Sequence, residues 1–412
     1  MPVILMTSFF QLRLAPVLVS ILLLIGVWTV IQLISLPPSI WQALPARQLL
    51  TGLDGVAVSQ DAWRPISWAP FRGLNALFGL LVPLLSLLLA LATRAQPRMI
   101  LLLIAGIGLL DALVGFLQLL SGPTSPLYLY AITNRGASVG VFANENHSAV
   151  FSAIVLLVLA WLFSASSRST DQPWLGYFYP AAFVIVLLSA LVSGSRGGLV
   201  LALLAATVSS ILLILRTSNS QSSKRRNSVV LWLEGHPVAT ALSPIAFILF
   251  LVSTFIGFER SRAFEDILAQ NAFEDLRWSL WPVLKEMMAD HWIVGTGFGS
   301  FEQVYNIYEP TNLLMPSYVN QAHNDWAQLV IEGGLPAVAL LLALLGWIGV
   351  TLYKILRQKE GVVRFLFWSS CFLIIGAASV VDYPLRTPIF QLCAVWLLLA
   401  MHLERLEYQP SE

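Results

Sequence analysis

Charge is scarce in this chain. Asp, Glu, Lys and Arg make up 11% of its 412 residues, with a formal net charge of +1, whereas soluble domains carry roughly 25% charged residues. The basic residues are dispersed and form no stripe that could follow a nucleic-acid backbone, so nucleic acid is excluded as a partner. Cysteine is scarcer still. Cys371 and Cys393 are the only two, and both sit in apolar segments, where a small buried hydrophobe is the better reading than a disulfide or metal ligand. Zinc-type His/Cys spacing, an Asp-x-Asp pair and any internal repeat of fixed period are missing too. The expectation is a protein with no required metal and no cofactor.

Apolar residues are abundant instead, at 57% of the chain, with a mean hydropathy of +0.78. Runs of about 17 to 25 apolar residues can cross a bilayer as helices, because a helix satisfies its own backbone polar groups in hydrocarbon. About ten such runs occur, centred near Leu24, Pro83, Gly108, Leu156, Ile185, Ala205, Ile248, Leu344, Phe372 and Leu397. The fold class expected is all-α: a polytopic membrane helix bundle forming a single transmembrane domain over 1–412. The first run, Leu14 to Leu36, is longer than a signal-peptide core and lacks a convincing cleavage site, so it is read as a retained helix.

An even number of spans puts both termini on one side, and lysine and arginine choose which. Arg13, Arg94, Arg98, Arg168, Arg216, Lys224, Arg225, Arg226, Lys354, Arg357, Lys359, Arg364 and Arg405 fall in short basic segments. These are placed in the cytoplasm. The opposite, outer side then receives two long loops, 37–72 and 258–334. Helical apolar spacing over Ala263 to Met288 predicts a lid lying over the membrane face.

Three constellations on that side carry candidate chemistry. In Asn320-Gln-Ala-His-Asn-Asp-Trp-Ala-Gln-Leu-Val-Ile-Glu332, helical spacing puts Asn324, Gln328 and Glu332 on one polar stripe beside Asp325, expected to look into a wet cavity. His323 opens this segment, and an imidazole can take a proton from a sugar hydroxyl near neutral pH. Ser193-Gly-Ser-Arg-Gly-Gly198 holds Arg196 between two apolar runs, where an arginine faces protein or water and pairs with an anion or carbonyls. Arg196 is expected to bind a diphosphate. Asn134-Arg-Gly-Ala-Ser-Val-Gly-Val-Phe-Ala-Asn-Glu-Asn-His147 offers Arg135 as a second cation. Its Asn146 and His147 suit either ligand contact or capping of the following helix. Arg277, beside Trp278 and Trp281, can hold a phosphate or anchor the lid. Asp382 and Arg386 are expected to pair with each other within Asp382-Tyr-Pro-Leu-Arg-Thr-Pro388. Gly295-Thr-Gly-Phe-Gly299 is read as a turn, since it lacks the last glycine of a dinucleotide fingerprint.

Taken together, Ser193–Gly198, Arg277 to Tyr305, His323–Gly334 and Asp382–Pro388 resemble the O-antigen ligase and polymerase superfamily with its Wzy_C-type core. The resemblance implies a GT-C-like membrane glycosyltransferase that takes its glycan from undecaprenyl diphosphate at the periplasmic face. It implies catalytic roles for His323 and Arg196 and substrate contacts from Arg135 and Arg277. Asn324, Asp325, Glu332, Asn146, His147, Asp382 and Arg386 complete the candidate binding set. Partners expected on this basis are the lipid-linked glycan, a lipid A core or growing glycan as acceptor, and membrane lipids. Ligase activity is preferred, with repeat-unit polymerisation as the alternative and protein glycosylation or transport behind both. The amino-terminal third carries little of the resemblance and is assigned no catalytic role.

Overall fold

A computed structural model describes residues 9–56, 61–166, 174–218, 271–314 and 319–408. The main helices in chain order are α1 (Pro16–Leu33), α2 (Gln48–Val56), α3 (Pro70–Gly79), α4 (Leu81–Ala92), α5 (Pro97–Ser121), α6 (Glu145–Ser166) and α7 (Leu175–Val192). After them come α8 (Arg196–Ser218), α9 (Asn271–His291), α10 (Phe301–Tyr308), α11 (Asp325–Leu356), α12 (Gly361–Val381) and α13 (Pro388–Glu407). Among the described residues the strands are two-residue pieces, β1 (Ser35–Leu36) and β2 (Arg64–Pro65), paired antiparallel.

Nine spans long and apolar enough to cross a membrane occur among the described residues, with α3 and α4 making one together. Each covers one of the expected centres. The tenth, near Ile248, lies outside the described residues, as do the Lys224–Arg226 run and the start of the predicted lid. Prolines open α1, α3 and α5, since a residue whose N–H would be unpaired loses nothing by lacking it. Leu23, Leu24, Val27, Val30 and Ile31 of α1 are exposed, which suits a helix whose solvent is lipid.

The chain forms two compact units. Unit 2 comprises Gln96–Ala272, Thr351–Ala378 and Leu403–Glu412. Its centre is α6, buried on all sides from Ala149 to Leu162 and packed by α5, α7 and α8. A helix apolar all round has to sit inside a bundle. Small residues let the backbones close up: a Cβ on Gly108 of α5 would lie 2.2 Å from a Val155 methyl, and one on Gly198 of α8 would lie 2.2 Å from Ala149. The Ser209 hydroxyl donates to the Leu156 carbonyl, and Arg216 reaches Ser164. These contacts make α6 and α8 parallel, with their amino ends together.

Unit 1 comprises Met1–Ala95, Phe273–Val350 and Ser379–His402. Leu280, Leu284, Met287, Phe301, Val304, Tyr305, Ala322, Ala327 and Ile331 form one apolar core, which ties α9 and α10 to the first turns of α11. The long loops therefore share a folded body. Trp68 N–H donates to Thr296 O, and Gln32 at the end of α1 donates to the carbonyls of Val294 and Glu332.

Candidate functional site

The polar segment after Asn320 belongs to a helix in unit 1. Asn324 caps α11: its side-chain oxygen accepts from Ala327 N–H at 2.9 Å, relieving one of the unpaired first-turn donors. Its amide donates to Val380 O. The helix breaks at Gly334, the tenth residue of α11, with φ 63° and ψ −162°. The turn at Gly295–Ser300 fills the break. Thr296 and Gly297 N–H groups donate to the carbonyls of Ile331 and Glu332, and Leu335 N–H donates to Ile293 O. Gly295, Gly297 and Gly299 all have positive φ, and a Cβ on Gly295 would stand 2.2 Å from the Glu332 carbonyl. Only glycine lets this turn approach so closely. The turn reading holds, and its task is to satisfy the carbonyls of an interrupted helix.

The stripe of Gln328 and Glu332 does not face water. Both are buried, a correction to the wet face expected from periodicity. The Glu332 carboxylate accepts from Phe301 N–H at 3.1 Å, from Gln328 Nε2 at 3.2 Å and from Arg386 Nη1 at 2.5 Å. Gln328 also binds the Gln321 side chain and accepts from Ala322 N–H. Asp325 accepts from the Ser379 hydroxyl and Leu385 N–H, and stands 3.7 Å from Arg386 Nε. Arg386 is thus held by the two carboxylates of α11 and not by its loop neighbour Asp382. A cation sunk beside two buried carboxylates compensates their desolvation, which the loop pair could not do. Burial alone would lower the Arg386 pKa, but Glu332 and Asp325 outweigh it and raise it.

Asp382 turns to His323 instead. Its Oδ1 stands 3.5 Å from His323 Nδ1, an electrostatic contact longer than a hydrogen bond. The imidazole meets the Tyr383 ring edge-on at 5.0 Å. His323 has φ 48°, a left-handed conformation uncommon outside glycine, though histidine enters it more readily than most residues, and its side chain remains 24% exposed. A strained, part-exposed imidazole with a carboxylate behind one nitrogen can exchange a proton at the other. Arg277 lies on α9, but its side chain is outside what the structure describes. Trp278, the next residue, and Trp281, one turn on, are exposed.

The remaining predicted residues lie in unit 2. Arg196 is the first residue of α8, behind Ser195, whose hydroxyl accepts from Gly198 N–H at 2.9 Å. Gly194, at φ 84°, turns the chain between α7 and α8. Arg196 therefore sits at the positive end of a helix dipole, where a guanidinium suits an anion. Parallel packing of α6 and α8 brings Asn146 and His147 to the same end of the unit. Asn144 caps α6, accepting from Asn146 N–H at 2.8 Å. His147 is buried against Phe142, whereas Arg135 is exposed beside the Tyr128 ring.

Two residues that the sequence reading passed over hold this loop in place. Asp111 of α5 accepts from Val141 N–H and the Ser148 hydroxyl, each at 2.7 Å. Gln118, two turns on, bonds Val139, Gly140 and Leu127. The signal was present: a carboxyl and an amide inside an apolar run need polar partners. Among the described residues no three His, Cys, Asp or Glu side chains gather to hold a metal ion.

Residues 181–342 match the family model Wzy_C, described as O-Antigen ligase. The match takes in Arg196, Arg277, the Gly295–Ser300 turn, His323, Asn324, Asp325 and Glu332, and leaves out Arg135, Asn146, His147, Asp382 and Arg386. No curated protein matches the chain. The resemblance to the O-antigen ligase superfamily is shown over that stretch, and the apolar helices make the chain a multi-pass membrane protein.

Proposed function

From the Wzy_C stretch over residues 181–342 as premise, we propose that this protein is an O-antigen ligase-like glycosyltransferase. It moves a glycan from undecaprenyl diphosphate to a hydroxyl of the lipid A core at the periplasmic face of a bacterial inner membrane. The observation that carries the proposal is His323: inside the family match, strained, part-exposed, and backed by Asp382.

The acceptor oxygen attacks the anomeric carbon with inversion, its proton passes to His323 Nε2, and the bond to the diphosphate oxygen breaks with the electron pair leaving on undecaprenyl diphosphate. The leaving group needs positive charge more than it needs an acid. Within unit 2, Arg196 at the amino end of α8 and the exposed Arg135 are the cations whose chemistry suits such a leaving group. Asp382 steadies the imidazolium, and the Arg386 carboxylate pair holds the turn carrying Asp382. No metal takes part in this scheme.

The orientation rests on where basic residues collect. At the opposite end of unit 2 from Arg196, Arg216 lies against Trp161 and near Glu360, and Arg364 binds Gln358 and the Glu404 backbone. A basic end of this kind supports a cytoplasmic reading for that end of unit 2, with Arg196 at the other end. The test is transfer from purified lipid-linked glycan, read as release of the polyprenyl diphosphate. His323→Gln should cut the rate by about 100-fold or more while donor binding persists; wild-type transfer by that variant would end the base assignment. Deletion followed by electrophoresis of surface glycans separates the acceptors. A bare lipid A core identifies a ligase, and a ladder reduced to one repeat identifies a polymerase.

A further inference from the structure

The first long loop, which the sequence marks as structural, forms one wall of a cavity within unit 1. The cavity measures about 370 Å³ and is lined by Gln48, Leu49 and Trp68 on one side and by Asp290, Ile307 and Tyr308 on the other. It lies at the lower end of ligand-pocket sizes, roughly 300–1,000 Å³, with room for a mono- or disaccharide. Trp68 and Tyr308 pack on the same apolar core that carries Ala322 and Ala327, the neighbours of His323. The cavity is therefore anchored to the same body as the proposed base.

Its polar groups are set in advance. The Tyr308 hydroxyl donates to Asp290 Oδ2 at 2.7 Å, and His291 Nε2 lies 3.0 Å from the same hydroxyl. Burial holds the His291 pKa down at about 4, Asp290 opposing and Arg47 assisting. The ring is therefore neutral at physiological pH and can donate its Nε2 proton to Tyr308. One Asp290 oxygen is fixed in this way, and the other can accept from a ligand. Behind Trp68, Arg47 is buried with its guanidinium 5.0 Å from the indole ring. Arg47 donates to Ile66 O at 2.5 Å, while its Nε and Nη1, and the Trp68 indole N–H, have no hydrogen-bond partner among the described residues. Ala46, also lining the cavity, is held at φ 58°. Unsatisfied buried donors and a strained non-glycine residue are features that ligand sites retain against stability.

We propose that this cavity is a saccharide-binding subsite that holds a neutral sugar residue of the glycan on Trp68, with its hydroxyls bonded to Asp290 and Gln48. A pyranose presents C–H groups on one face and hydroxyls at its edge, matching an aromatic and aliphatic wall opposite a carboxylate. An anionic sugar would meet Asp290, and a purely apolar ligand would strip water from that carboxylate without replacing it. The proposal rests on the glycosyltransferase reading and deepens it, because a subsite on the first loop would give that loop a share in choosing the glycan.

The test uses the full chain in nanodiscs and saturation-transfer NMR. The probe is the neutral oligosaccharide released by mild acid from the host's own surface glycan, with glucuronic acid as the anionic control. Pyranose protons of the neutral probe should receive saturation and those of glucuronic acid should not. Asp290→Asn should weaken binding about tenfold, and Ala289→Trp, an exposed position on the cavity wall, should abolish it while leaving the thermal midpoint unchanged. Absence of saturation transfer, equal transfer to glucuronic acid, or binding indifferent to both substitutions would overturn the subsite. His323→Gln should bind the probe as the wild type does. Failure of transfer with binding intact would strike the enzymatic reading alone, and intact transfer without binding would strike the subsite alone.

Discussion

Replacing Glu332 by Gln should loosen unit 1 without changing its shape. Glu332 is fully buried and accepts from Arg386, Phe301 N–H and Gln328 at once. A glutamine of the same outline brings an NH2 group that must point at one of those three donors. Removing one partner of a buried ion pair costs about 3–5 kcal/mol. The Arg386 side chain keeps 24% of its surface exposed and retains Asp325 at 3.7 Å, which places the loss near the lower end, about 3 kcal/mol. That corresponds to roughly a 100-fold change in the folded-to-unfolded ratio. The assay is the midpoint of denaturation in detergent, followed by intrinsic tryptophan fluorescence. The double variant Glu332→Gln/Arg386→Leu should recover at least about 1 kcal/mol of the loss, because an unpaired buried charge costs more than none. A single variant within about 0.5 kcal/mol of wild type, or a double variant as unstable as the two singles summed, would refute the argument.

The low pKa of His291 gives stability a pH dependence. The unfolded chain takes a proton near 6.5, and the folded chain only near 4. This contribution is therefore complete above pH 6.5 and lost as pH falls toward 4, by about 3 kcal/mol at most. The melting temperature of His291→Gln between pH 7 and 4.5 should accordingly fall less steeply than that of wild type; equal slopes would contradict the assignment. Two glycines make a matched pair. Gly297, at φ 94° and with Ser67 2.5 Å from any added Cβ, should lose about 1–3 kcal/mol on substitution by Ala. Gly197, at ordinary φ with nothing within 4 Å, should accept Ala within about 0.5 kcal/mol by the same melt. A drop in transfer rate for Gly197→Ala at unchanged stability would indicate close approach of substrate to the start of α8.

Sequence alone determined where the chain can cross a membrane. Nine expected spans fall on helices, because an apolar run of bilayer length is a local property that needs no knowledge of its neighbours. The Gly295–Gly299 turn was legible for the same reason, since three glycines within five residues mark a backbone bend wherever they fold. Ion pairing was not legible. Asp382 and Arg386 look like partners in the sequence, yet Arg386 belongs to Glu332, 54 positions away, and Asp382 to His323. A charge pairs with whatever the packing of distant segments brings near it, and desolvation rewards the most buried carboxylate. Periodicity likewise drew the polar stripe of α11 without saying whether water or protein faced it. The tertiary structure decided that question by laying the Gly295 turn and Arg386 over the stripe. It also decided that the first loop, featureless as a string of residues, would share a cavity with the second, because Trp68 and Tyr308 find each other only through a common core.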